Sequence, residues 1–380
     1  MKIEILLTET EIAQEFSESM EARDIPEKFF YWFPLSAQAW LALARDPAYD
    51  DLRKCWELIA ERIAGVVEHF DGAVPAISFG AGDGHTDRVV LAPLQNANRE
   101  VRYFPVDASQ ALLEAACSAA EDQEIEALGI KADISSPVHL VLASDASESP
   151  KLFLVSGNTM GAFDPLDQIR HIATAMHEGD RLVVDGELHD ENALERTRTK
   201  AMQHFAFAPL ASIGITHEDG ELSFECRRDD RHEGLYLVAR RFRAERDLRA
   251  TVSGKDIVME RGERLSMNFH YLYTRHVMSR VFNGVVRLAL LPGILDTQAG
   301  LKGFTARAGE LIFSRLTVQG FGFDVECLYI ARKHRLTVRQ TAVHFRYEDE
   351  PSTVRFAADA AEMLRDLVKI RWNDWRGRYA

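Results

Sequence analysis

The sequence predicts an α/β protein built on a doubly wound, mostly parallel sheet, and three observations support this. Residues 71–190 alternate strand-like and helix-like segments, which is typical of a parallel sheet. The strand Ala76–Phe79 runs directly into a turn with three glycines at alternate positions. The next strand ends in the carboxylate of Asp107, 23 residues beyond Gly84. That spacing matches the acid that binds a ribose in doubly wound folds.

Length, charge and cysteine content set broad limits on function. The 380 residues suffice for two domains, or for one domain with a large insertion. The net charge of −14 is spread along the chain, so nucleic-acid binding, which needs a dominant positive field, is not expected. The four cysteines form no C-x-x-C pair, so we expect neither a zinc site nor a disulfide framework.

Two features of the sequence concern the location of the protein in the cell. Glu4, Glu9 and Glu11 interrupt the N-terminal segment, which has no apolar core of signal length, so no export signal is expected. The sequence contains no apolar run of about 18 residues or more, so no membrane span is expected. We therefore expect a cytoplasmic protein, with peripheral contact to the inner membrane surface as the alternative.

The glycine turn after the first predicted strand is the main candidate for a ligand site. Gly80, Gly82 and Gly84 allow a tight turn and a close approach of ligand to backbone. A helix-compatible segment, Asp87–Leu94, follows and would offer its N-terminus. We expect all three glycines to contact a nucleotide-type cofactor. The alternative is a plain strand-to-helix connection.

Two carboxylates follow the next strands. Asp107 is expected to accept hydrogen bonds from a ribose. Its alternative role is a plain helix cap, but Ser109 already stands at the cap position of the predicted helix Gln110–Ala120. Asp133 follows Lys131 near the end of a third strand, where it is expected to meet an adenine amino group. The alternative for Asp133 is an ordinary turn residue.

The loop Ser156–Pro165 follows a buried strand and should lie at the same sheet edge as the glycine turn. Such loops commonly carry ligand contacts. Ser156 and Gly157 are therefore candidates for the cofactor, and Asn158 for the substrate. The strands expected in this region are Ala76–Phe79, Val101–Val106, His139–Ala143, Leu152–Ser156 and Arg181–Asp185, and the later helix is Pro165–Ala175.

Residues 1–70 are predicted to be mostly helical, with helical periodicity over Ser36–Arg45 and Leu52–Phe70. An aromatic cluster between two prolines, residues 26–34, includes Tyr31. Such a cluster is either part of a core or a lid over a pocket. Because it precedes the first sheet strand, Tyr31 is a candidate residue of the active site.

Residues 191–274 predict a charged helix, Leu194–Gln203, and an antiparallel sheet added to the parallel one. The strand-like runs are Ala211–Thr216, Leu222–Cys226, Leu235–Phe242 and Leu248–Val252. The polar and aromatic segment that follows contributes Asn268, His270 and Tyr273 as candidates for the substrate site. A lone histidine is more often structural, but its ordinary pKa of about 6.5 also suits His270 to proton transfer.

Residues 275–380 change character again. The segment His276–Leu291 predicts a helix with an apolar face and several arginines. Such a helix either lies on an anionic membrane surface or packs on protein. A strand-like run at Thr337–Tyr347 and a closing helix from Ala357 to about Trp375 follow.

The order of motifs in residues 25–274 resembles the histidine-specific S-adenosylmethionine-dependent methyltransferase family, whose best-known member trimethylates the α-amino group of histidine. The aromatic cluster ending in Tyr31 is similar to the family's N-terminal substrate segment. The other matching segments are Phe79–Gly84, Tyr103–Ser109, Phe153–Gly161, Gly179–Val184, Gly262–Glu263 and Tyr271–Thr274.

This resemblance implies a class I methyltransferase (Rossmann-like) doubly wound sheet with an added α+β substrate domain, and S-adenosylmethionine as cofactor. It implies a helical lid region at 1–70, a cofactor-binding domain at 71–190 and a substrate region at 191–274. The glycine turn would admit the methionine part of the cofactor. Asp107 would hold the ribose and Asp133 would sit by the adenine.

The sequence departs from the family pattern where cofactor and histidine are recognised. Ser78 replaces an acid before the glycine turn, and Thr86 replaces a lysine that would meet the cofactor carboxylate. Ala162 stands where an asparagine would hold histidine, and Asn268 and His270 stand where a glutamate and a serine would bind its ring. Buried hydrogen bonds give the largest discrimination between substrates. We therefore expect an acceptor other than histidine.

The C-terminal segment 275–380 resembles family-2 glycosyltransferases that load sugars onto dolichyl or polyprenyl phosphate. The matching segments are Asp296–Phe304, Phe323–Glu326 and Glu350–Val354, with Thr353 in place of the usual lysine. The half that binds a sugar nucleotide is missing, and so is an Asp-x-Asp pair for a metal. The segment is therefore expected to be an α/β extension rather than a complete glycosyltransferase.

Three functions follow. The first is methyl transfer from S-adenosylmethionine to nitrogen or oxygen of a small-molecule acceptor, with His270 and Tyr31 as catalytic candidates. The second is a non-catalytic accessory protein whose residues 275–380 contact a membrane surface, a polyprenyl-phosphate glycosyltransferase or a lipid-linked sugar. The third is a remnant of a family-2 glycosyltransferase.

Overall fold

The structure is a computed structural model, and it describes residues 1–148, 150–189, 193–231, 235–252, 254–273, 304–318, 323–339, 366–367 and 369–379. The chain divides into two compact units, Met1–Thr274 and Arg275–Ala380. The finer division of the first unit into three parts stays a prediction.

The strands are β1 Lys2–Ile5, β2 Asp24–Ile25, β3 Val74–Phe79, β4 Val101–Asp107, β5 Glu126–Lys131, β6 Leu152–Val155, β7 Arg181–Val184, β8 Gly220–Arg228, β9 Leu235–Ala244, β10 Leu248–Val252, β11 Lys255–Met259 and β12 Arg264–Tyr273. The described helices are α1 Glu9–Ala22, α2 Phe29–Trp32, α3 Pro34–Ala44, α4 Asp50–Ala60, α5 Ile63–Val66, α6 His85–Asn96, α7 Gln110–Glu121, α8 Pro137–Ser144, α9 Pro165–Ala175, α10 Ala193–Arg196, α11 Lys200–Ser212, α12 Ala306–Phe313 and α13 Phe323–Lys333.

The first sheet has six parallel strands in the order β1-β5-β4-β3-β6-β7. All six residues of β3 are buried, as expected for a central strand covered on both faces. From β3 the chain winds outward through β4 and β5 on one side and through β6 and β7 on the other. The strand order therefore reverses beside β3, and a doubly wound sheet binds its ligand at the carboxyl ends of the strands at this point.

Apolar side chains from the sheet and its helices form one core. Val74 and Ala76 of β3 pack with Leu91 of α6, Ala116 of α7 and Trp56 of α4 in a single buried cluster. The apolar residues of α6 and α7 recur at helical spacing, so each helix presents one face to the sheet. This packing fixes the loops that leave the carboxyl ends of the strands.

A second sheet has the order β2-β12-β9-β8. The pairs β12–β9 and β9–β8 are antiparallel, while β2 runs parallel to β12. A second buried cluster joins this sheet to the N-terminal helices and α11, with Phe16, Phe30, Phe205 and Phe242 among its members. Two of the predicted antiparallel strands, β8 and β9, therefore lie in this second sheet, while the predicted strand Leu248–Val252 is β10 and pairs with β11 in a separate two-stranded sheet. The cluster places β12 against the N-terminal helices.

Several sequence-based assignments were wrong. The run His139–Ala143 is helical, because Pro137 opens α8 and the Ser136 hydroxyl accepts a hydrogen bond from the His139 N–H at 3.4 Å. The run Ala211–Thr216 is the end of α11 followed by a turn, not a strand. Residues 1–70 were predicted to be mostly helical, and β1, which extends the sheet by pairing with β5, was not foreseen.

Two long helices predicted from the sequence are each divided. Leu52–Phe70 contains the separate helices α4 and α5. Leu194–Gln203 is divided because Thr199 begins a new helix, with its hydroxyl accepting a hydrogen bond from the Met202 N–H at 3.2 Å. At Thr199 a polar capping residue therefore set the boundary more strongly than apolar periodicity did, whereas no side-chain cap marks the start of α5.

The second unit has its own small core. Ile312 of α12, Val325 and Ile330 of α13, and Ile370 and Tyr379 near the C-terminus are buried together. The predicted helix His276–Leu291 lies outside the described residues, as does most of the strand-like run Thr337–Tyr347, whose described part, residues 337–339, is not a strand. In the described parts of the chain, no helix has the length and apolar character of a membrane span.

Candidate active site

The glycine turn stands at the carboxyl end of β3. Gly80, Gly82 and Gly84 have φ angles of 76°, 56° and 71°, a region in which side chains are strained. A Cβ at Gly80 would lie 2.7 Å from the Thr159 side chain, and one at Gly82 would point to the Trp40 Nε1 at 3.4 Å. Gly80 and Gly82 therefore leave bare backbone at the wall of a cavity.

Gly84 is closely packed. A Cβ there would lie 3.1 Å from the Ala116 Cβ and 3.2 Å from the Tyr103 hydroxyl. Gly84 is not among the described residues that line the cavity. Close packing of α6 against α7 and β4 therefore requires a glycine at this position, and a contact of Gly84 with the cofactor stays a prediction.

Asp107 joins the end of β4 to the glycine turn. Its Oδ2 accepts a hydrogen bond from the Gly82 N–H at 3.0 Å, and its Oδ1 accepts one from the Ser109 N–H at 2.9 Å. Burial raises the pKa of Asp107, against the opposing effect of these backbone donors. The Ser109 hydroxyl has no hydrogen-bond partner among the described residues. Ser109 therefore occupies the N-cap position of α7, as predicted, but its hydroxyl makes no capping hydrogen bond, and Asp107 accepts the Ser109 backbone N–H.

Asp133 lies after β5 and forms an ion pair with Lys28. Its Oδ1 also accepts hydrogen bonds from the Ser135 N–H at 2.8 Å and hydroxyl at 2.6 Å. Burial raises the pKa of Asp133, but the Lys28 ammonium outweighs this and the pKa falls below its usual range. The carboxylate is thus ionised and paired. Lys28, which also pairs with Glu15, was not anticipated from the sequence.

Asp185, at the end of β7, holds the loop that follows β6. Its carboxylate accepts hydrogen bonds from the N–H groups of Gly157 and Asn158, both at 2.8 Å, and from the Trp56 indole at 2.9 Å. It is only 5% exposed. No role was predicted for Asp185 from the sequence. Its position, a carboxylate at a strand end beside a glycine loop, could have indicated that it binds the backbone of that loop.

The carboxyl ends of β3 to β6 open into one cavity of about 610 Å³. Nine of the predicted site residues line it. They are Gly80, Gly82, Asp107, Asp133, Ser156, Gly157, Asn158, Tyr31 and His270. The structure therefore brings residues from six separate stretches of the chain together around one cavity.

The wall opposite the glycine turn is aromatic and carries a buried carboxylate. Glu27 is 7% exposed, and its Oε1 accepts a hydrogen bond from the Tyr31 hydroxyl at 2.6 Å. Tyr31 and Trp40 are in edge contact with ring centroids 5.4 Å apart, and Tyr49 contacts Trp40 in the same way at 5.6 Å. The sequence predicted Tyr31 here but missed Glu27.

His270, on β12, lines the same cavity. Its Nδ1 is buried and has no hydrogen-bond partner among the described residues. Burial and the nearby charge of Arg240 lower the pKa of His270 well below its usual value. The imidazole is therefore neutral at physiological pH and a weak base. Its role as proton acceptor stays a prediction.

The remaining substrate candidates differ in position. Asn158 exchanges two hydrogen bonds with Glu187: its Oδ1 accepts from the Glu187 N–H at 3.0 Å and its Nδ2 donates to Oε2 at 3.3 Å. Tyr273 donates a hydrogen bond to the Met160 carbonyl at 3.2 Å and is not among the described residues that line the cavity, and its role as a substrate contact stays a prediction. The side chain of Asn268 lies outside the described residues.

The strand order, the glycine turn and the acid after β4 together define a class I S-adenosylmethionine-dependent methyltransferase fold. The model of the family described as histidine-specific methyltransferase, SAM-dependent, matches residues 8–285. The chain therefore belongs to the histidine-specific S-adenosylmethionine-dependent methyltransferase family, and it is a methyltransferase with S-adenosylmethionine as cofactor.

Three curated relatives match a shorter segment towards the C-terminus, and all are dolichyl-phosphate β-glucosyltransferases. The protein of Dictyostelium discoideum is 32% identical over 100 residues, and that of Homo sapiens is 35% identical over 99. The protein of Saccharomyces cerevisiae is 33% identical over 97 residues. Each match covers 26% of this chain and 29–30% of the relative, so this chain spans less than a third of these enzymes.

Solved methyltransferase structures are also similar. An S-adenosylmethionine-dependent methyltransferase from Clostridium acetobutylicum has 12% identity and a TM-score of 0.33, covering 62% of this chain and 83% of its own. The plantazolicin methyltransferase BpumL, in complex with SAH, has 13% identity and a TM-score of 0.34, covering 57% and 84%. Class I is assigned from the topology of this chain itself.

The residues present fit the cofactor. Gly80 and Gly82 both line the cavity, and a Cβ at Gly82 would point across it to the Trp40 indole at 3.4 Å. A carboxylate has about four lone-pair positions, so Asp107 can accept ribose hydroxyls in addition to its two backbone donors. The cofactor supplies an electrophilic methyl group, and the protein supplies position and exclusion of water. In the described parts of the chain, no group of three or more His, Cys, Asp or Glu is arranged to hold a metal.

Proposed function

We propose that this protein transfers a methyl group from S-adenosylmethionine to nitrogen or oxygen of a small-molecule acceptor other than histidine. One observation carries the proposal: a single cavity joins the glycine turn and Asp107 to the wall that contains Glu27, Tyr31 and His270. Donor and acceptor bound in one enclosed space gain the proximity on which bimolecular transfer depends.

We assign the two sides of the cavity as follows. The backbone at Gly80 and Gly82, with Gly157 across the cavity, holds the methionine part of the cofactor. Asp107 holds the ribose. Asp133, with its partner Lys28, stands near the adenine, where the ion pair presents fixed charge to the ring edge. The side of Tyr31 and His270 then receives the acceptor.

Histidine fits this acceptor side poorly. Ala162, which lines the cavity, has no group to hydrogen-bond a ligand. The Asn158 side chain, the nearest amide in sequence, is already engaged by Glu187. The groups with which the family binds histidine are therefore absent or engaged at these two positions, and selection of a polar ring rests on such hydrogen-bond partners.

The proposal is tested by incubating the protein with trideuteromethyl S-adenosylmethionine and a metabolite extract, followed by mass spectrometry. We expect S-adenosylhomocysteine and at least one new trideuteromethylated product that is not a histidine derivative. The variant Asp107→Asn serves as the control and should form little product. Trideuteromethyl histidine as the main product, or no labelled product, would contradict the proposed acceptor class.

A second candidate function rests on the match of the C-terminal segment to dolichyl-phosphate β-glucosyltransferases. In this reading the segment contacts a lipid-linked sugar or a glycosyltransferase at a membrane surface. Flotation of the full chain with vesicles containing dolichyl phosphate tests it. Co-flotation that depends on dolichyl phosphate supports the second function. Recovery of the protein only in the fraction without vesicles contradicts it.

A further inference from the structure

Arg240, on β9, is a buried guanidinium whose charge is not paired through its hydrogen bonds. It is 1% exposed. Its Nε and Nη1 have no hydrogen-bond partner in the described parts of the chain, and its Nη2 donates to the Met202 Sδ at 3.9 Å. None of these contacts is a carboxylate. The positive charge of Arg240 therefore acts over a distance through the protein interior, where screening by water is weak.

The rings around Arg240 place it one aromatic layer behind the cavity. Its guanidinium carbon lies 5.3 Å from the ring centroid of Phe30 and 5.6 Å from that of Phe205. Phe205 in turn packs against Tyr31 and Trp40, with ring centroids 5.5 Å and 5.8 Å apart. Tyr31 and Trp40 line the cavity, so the buried charge stands directly behind its aromatic wall.

Glu27 presents a buried carboxylate oxygen at the same wall. Its Oε2 is buried and has no hydrogen-bond partner among the described residues, while its Oε1 accepts a hydrogen bond from the Tyr31 hydroxyl at 2.6 Å. The residue lines the cavity. A buried hydrogen-bond acceptor without a partner is unfavourable, and more so when it is charged. Oε2 is therefore a site for a hydrogen-bond donor of a ligand.

The charges of Glu27 and Arg240 together favour an uncharged ligand. Burial raises the pKa of Glu27 and the charge of Arg240 opposes that rise, while burial and the same charge lower the pKa of His270. An aromatic wall alone would attract a cation. Here an ammonium group would be repelled by Arg240, and an anion would be repelled by Glu27. A neutral hydrogen-bond donor meets neither repulsion.

We propose that the methyl acceptor is an uncharged phenol, whose ring packs on the aromatic wall and whose hydroxyl donates a hydrogen bond to Oε2 of Glu27. The inference rests on the proposed function and narrows it from nitrogen or oxygen to oxygen. The rings of Tyr31, Trp40 and Tyr49 line the cavity and suit a flat apolar ring. A neutral amine already carries a reactive electron pair, whereas a hydroxyl needs a base, and Glu27 supplies one.

Glu27 accepts the proton that the phenol must lose. The O–H bond of the phenol breaks, an O–H bond to Oε2 forms, and the electron pair stays on the phenol oxygen. That oxygen attacks the methyl carbon, and the carbon–sulfur bond breaks with its electron pair on sulfur, which gives a methyl ether and S-adenosylhomocysteine. Negative charge moves from Oε2 to the phenol oxygen at the same wall, so the field of Arg240 stabilises it throughout. The proton later passes to water.

The first test is calorimetric binding of 4-methylphenol, 4-methylanisole and benzylamine in the presence of S-adenosylhomocysteine. The wild-type chain should bind 4-methylphenol about tenfold or more tighter than 4-methylanisole, which has no hydroxyl donor, and than benzylamine, which is cationic. Glu27→Gln should lower the preference over 4-methylanisole several-fold, and Glu27→Asp should retain it. Arg240→Met should raise the affinity for benzylamine about tenfold relative to 4-methylphenol.

The matched controls are Glu225→Gln and Arg241→Met, at an exposed ion pair between β8 and β9. Both should leave the three affinities unchanged, because these charges lie in water, where their field is screened. Arg241 follows Arg240 in the chain, so the comparison isolates burial of the charge. A shift as large in Arg241→Met as in Arg240→Met would overturn the role of the buried guanidinium.

The second test identifies the product that the wild-type chain forms from trideuteromethyl S-adenosylmethionine and a metabolite extract. We expect a trideuteromethyl aryl ether, formed much more slowly by Glu27→Gln. A trideuteromethyl amine as the main product would overturn the phenol as methyl acceptor, while the proposed methyl transfer would stand.

Affinity for S-adenosylhomocysteine separates the failures. If that affinity is normal and 4-methylphenol does not bind, or binds no more tightly than benzylamine, the inference is overturned and the proposed methyl transfer stands. Ratios that neither Glu27→Gln nor Arg240→Met changes overturn it as well. If S-adenosylhomocysteine does not bind to the wild-type chain, the proposed function itself fails. Should either variant not fold, the wild-type affinities and the labelled product decide the question.

Discussion

Single carboxylates determine much of this site, and each has a different environment. Asp107 and Asp185 are held by backbone N–H donors, Asp133 by a lysine, and Glu27 by one tyrosine. Asp87 is a further case, beneath the glycine turn. It is fully buried, and it accepts hydrogen bonds from the Tyr103 hydroxyl at 2.5 Å and the Ser156 hydroxyl at 3.2 Å.

Asp87 gives a pH-dependent prediction. Burial raises its pKa from 3.8 to about 6, against the hydrogen bonds from Tyr103 and Ser156. The folded state therefore keeps a proton that the unfolded state loses, and stability falls as pH rises from about 4 to about 6, by at most about 3 kcal/mol. Urea unfolding across this range should show a smaller fall for Asp87→Asn than for the wild type.

The control for this prediction is Asp167→Asn, at an exposed position paired with Arg170. It should follow the wild-type curve. The difference between the curves isolates Asp87, because other carboxylates with raised pKa values, such as Asp185, contribute equally to all three proteins. Parallel curves for Asp87→Asn and the wild type would show that Asp87 is not a protonated buried group.

Among individual residues, sequence patterns correctly predicted the positions of those that belong to a local motif. Gly82 and Asp107 follow adjacent strands, so the motif and its spacing placed both at one sheet edge. Lys28 was missed because its partner Asp133 is 105 residues away. Glu27 was missed although its partner Tyr31 is only four residues away, because its burial at the cavity wall depends on tertiary packing. The protonation state of His270 could not be predicted from the sequence either, because its pKa depends on burial and on Arg240, a residue of another strand.

Among the elements, the glycine turn divides two roles between neighbouring positions, and substitution should separate them. Gly82→Ala places a Cβ at the cavity wall, so we expect affinity for S-adenosylmethionine to fall about tenfold, with about 1 kcal/mol of lost stability from the positive φ. Gly84→Ala adds contacts at 3.1 Å and 3.2 Å in packed surroundings, and should cost about 2–4 kcal/mol of stability with affinity unchanged.

Urea unfolding and calorimetry on the two variants check this division, and each variant is the control for the other. A large loss of cofactor affinity in Gly84→Ala, with unchanged stability, would show that Gly84 contacts the cofactor. An unaltered affinity in Gly82→Ala would show that the backbone there does not approach the ligand.

Elements with strong local signals were predicted well, and those that depend on their neighbours were not. The bounds of α9, Pro165–Ala175, were predicted correctly because Asp164 caps it and a proline opens it. α8 was mistaken for a strand because a short apolar run fits both structures. β1 is short and mostly exposed, and only its pairing with β5 makes it a strand.

The whole molecule consists of two units with separate cores, and a prediction follows from this. Glu326 of the second unit is fully buried and accepts hydrogen bonds from the N–H groups of Thr317 and Val318, at 2.9 Å and 2.8 Å, and from the Tyr379 hydroxyl at 2.5 Å. Glu326→Gln removes acceptors from these donors and should destabilise the second unit by about 2–4 kcal/mol.

Cofactor affinity should stay within about twofold in Glu326→Gln, because every described residue that lines the cavity belongs to Met1–Thr274. Thermal unfolding and calorimetry measure the two effects, with the exposed Glu310→Gln as the control. A parallel loss of cofactor affinity would mean that the second unit supports the site.

For the whole molecule, the sequence indicated the resemblances to a methyltransferase family and to glycosyltransferases. The methyl acceptor and the role of the second unit depend on contacts that no sequence motif specifies.

The most direct test of this account is calorimetric titration of the full chain with S-adenosylmethionine. We predict saturable binding of one equivalent, weakened about tenfold or more in Asp107→Asn, because a charge-assisted contact to the ribose is lost. Absence of binding at millimolar cofactor, or equal affinity in Asp107→Asn, would contradict the assignment of the glycine turn and Asp107 as the cofactor site.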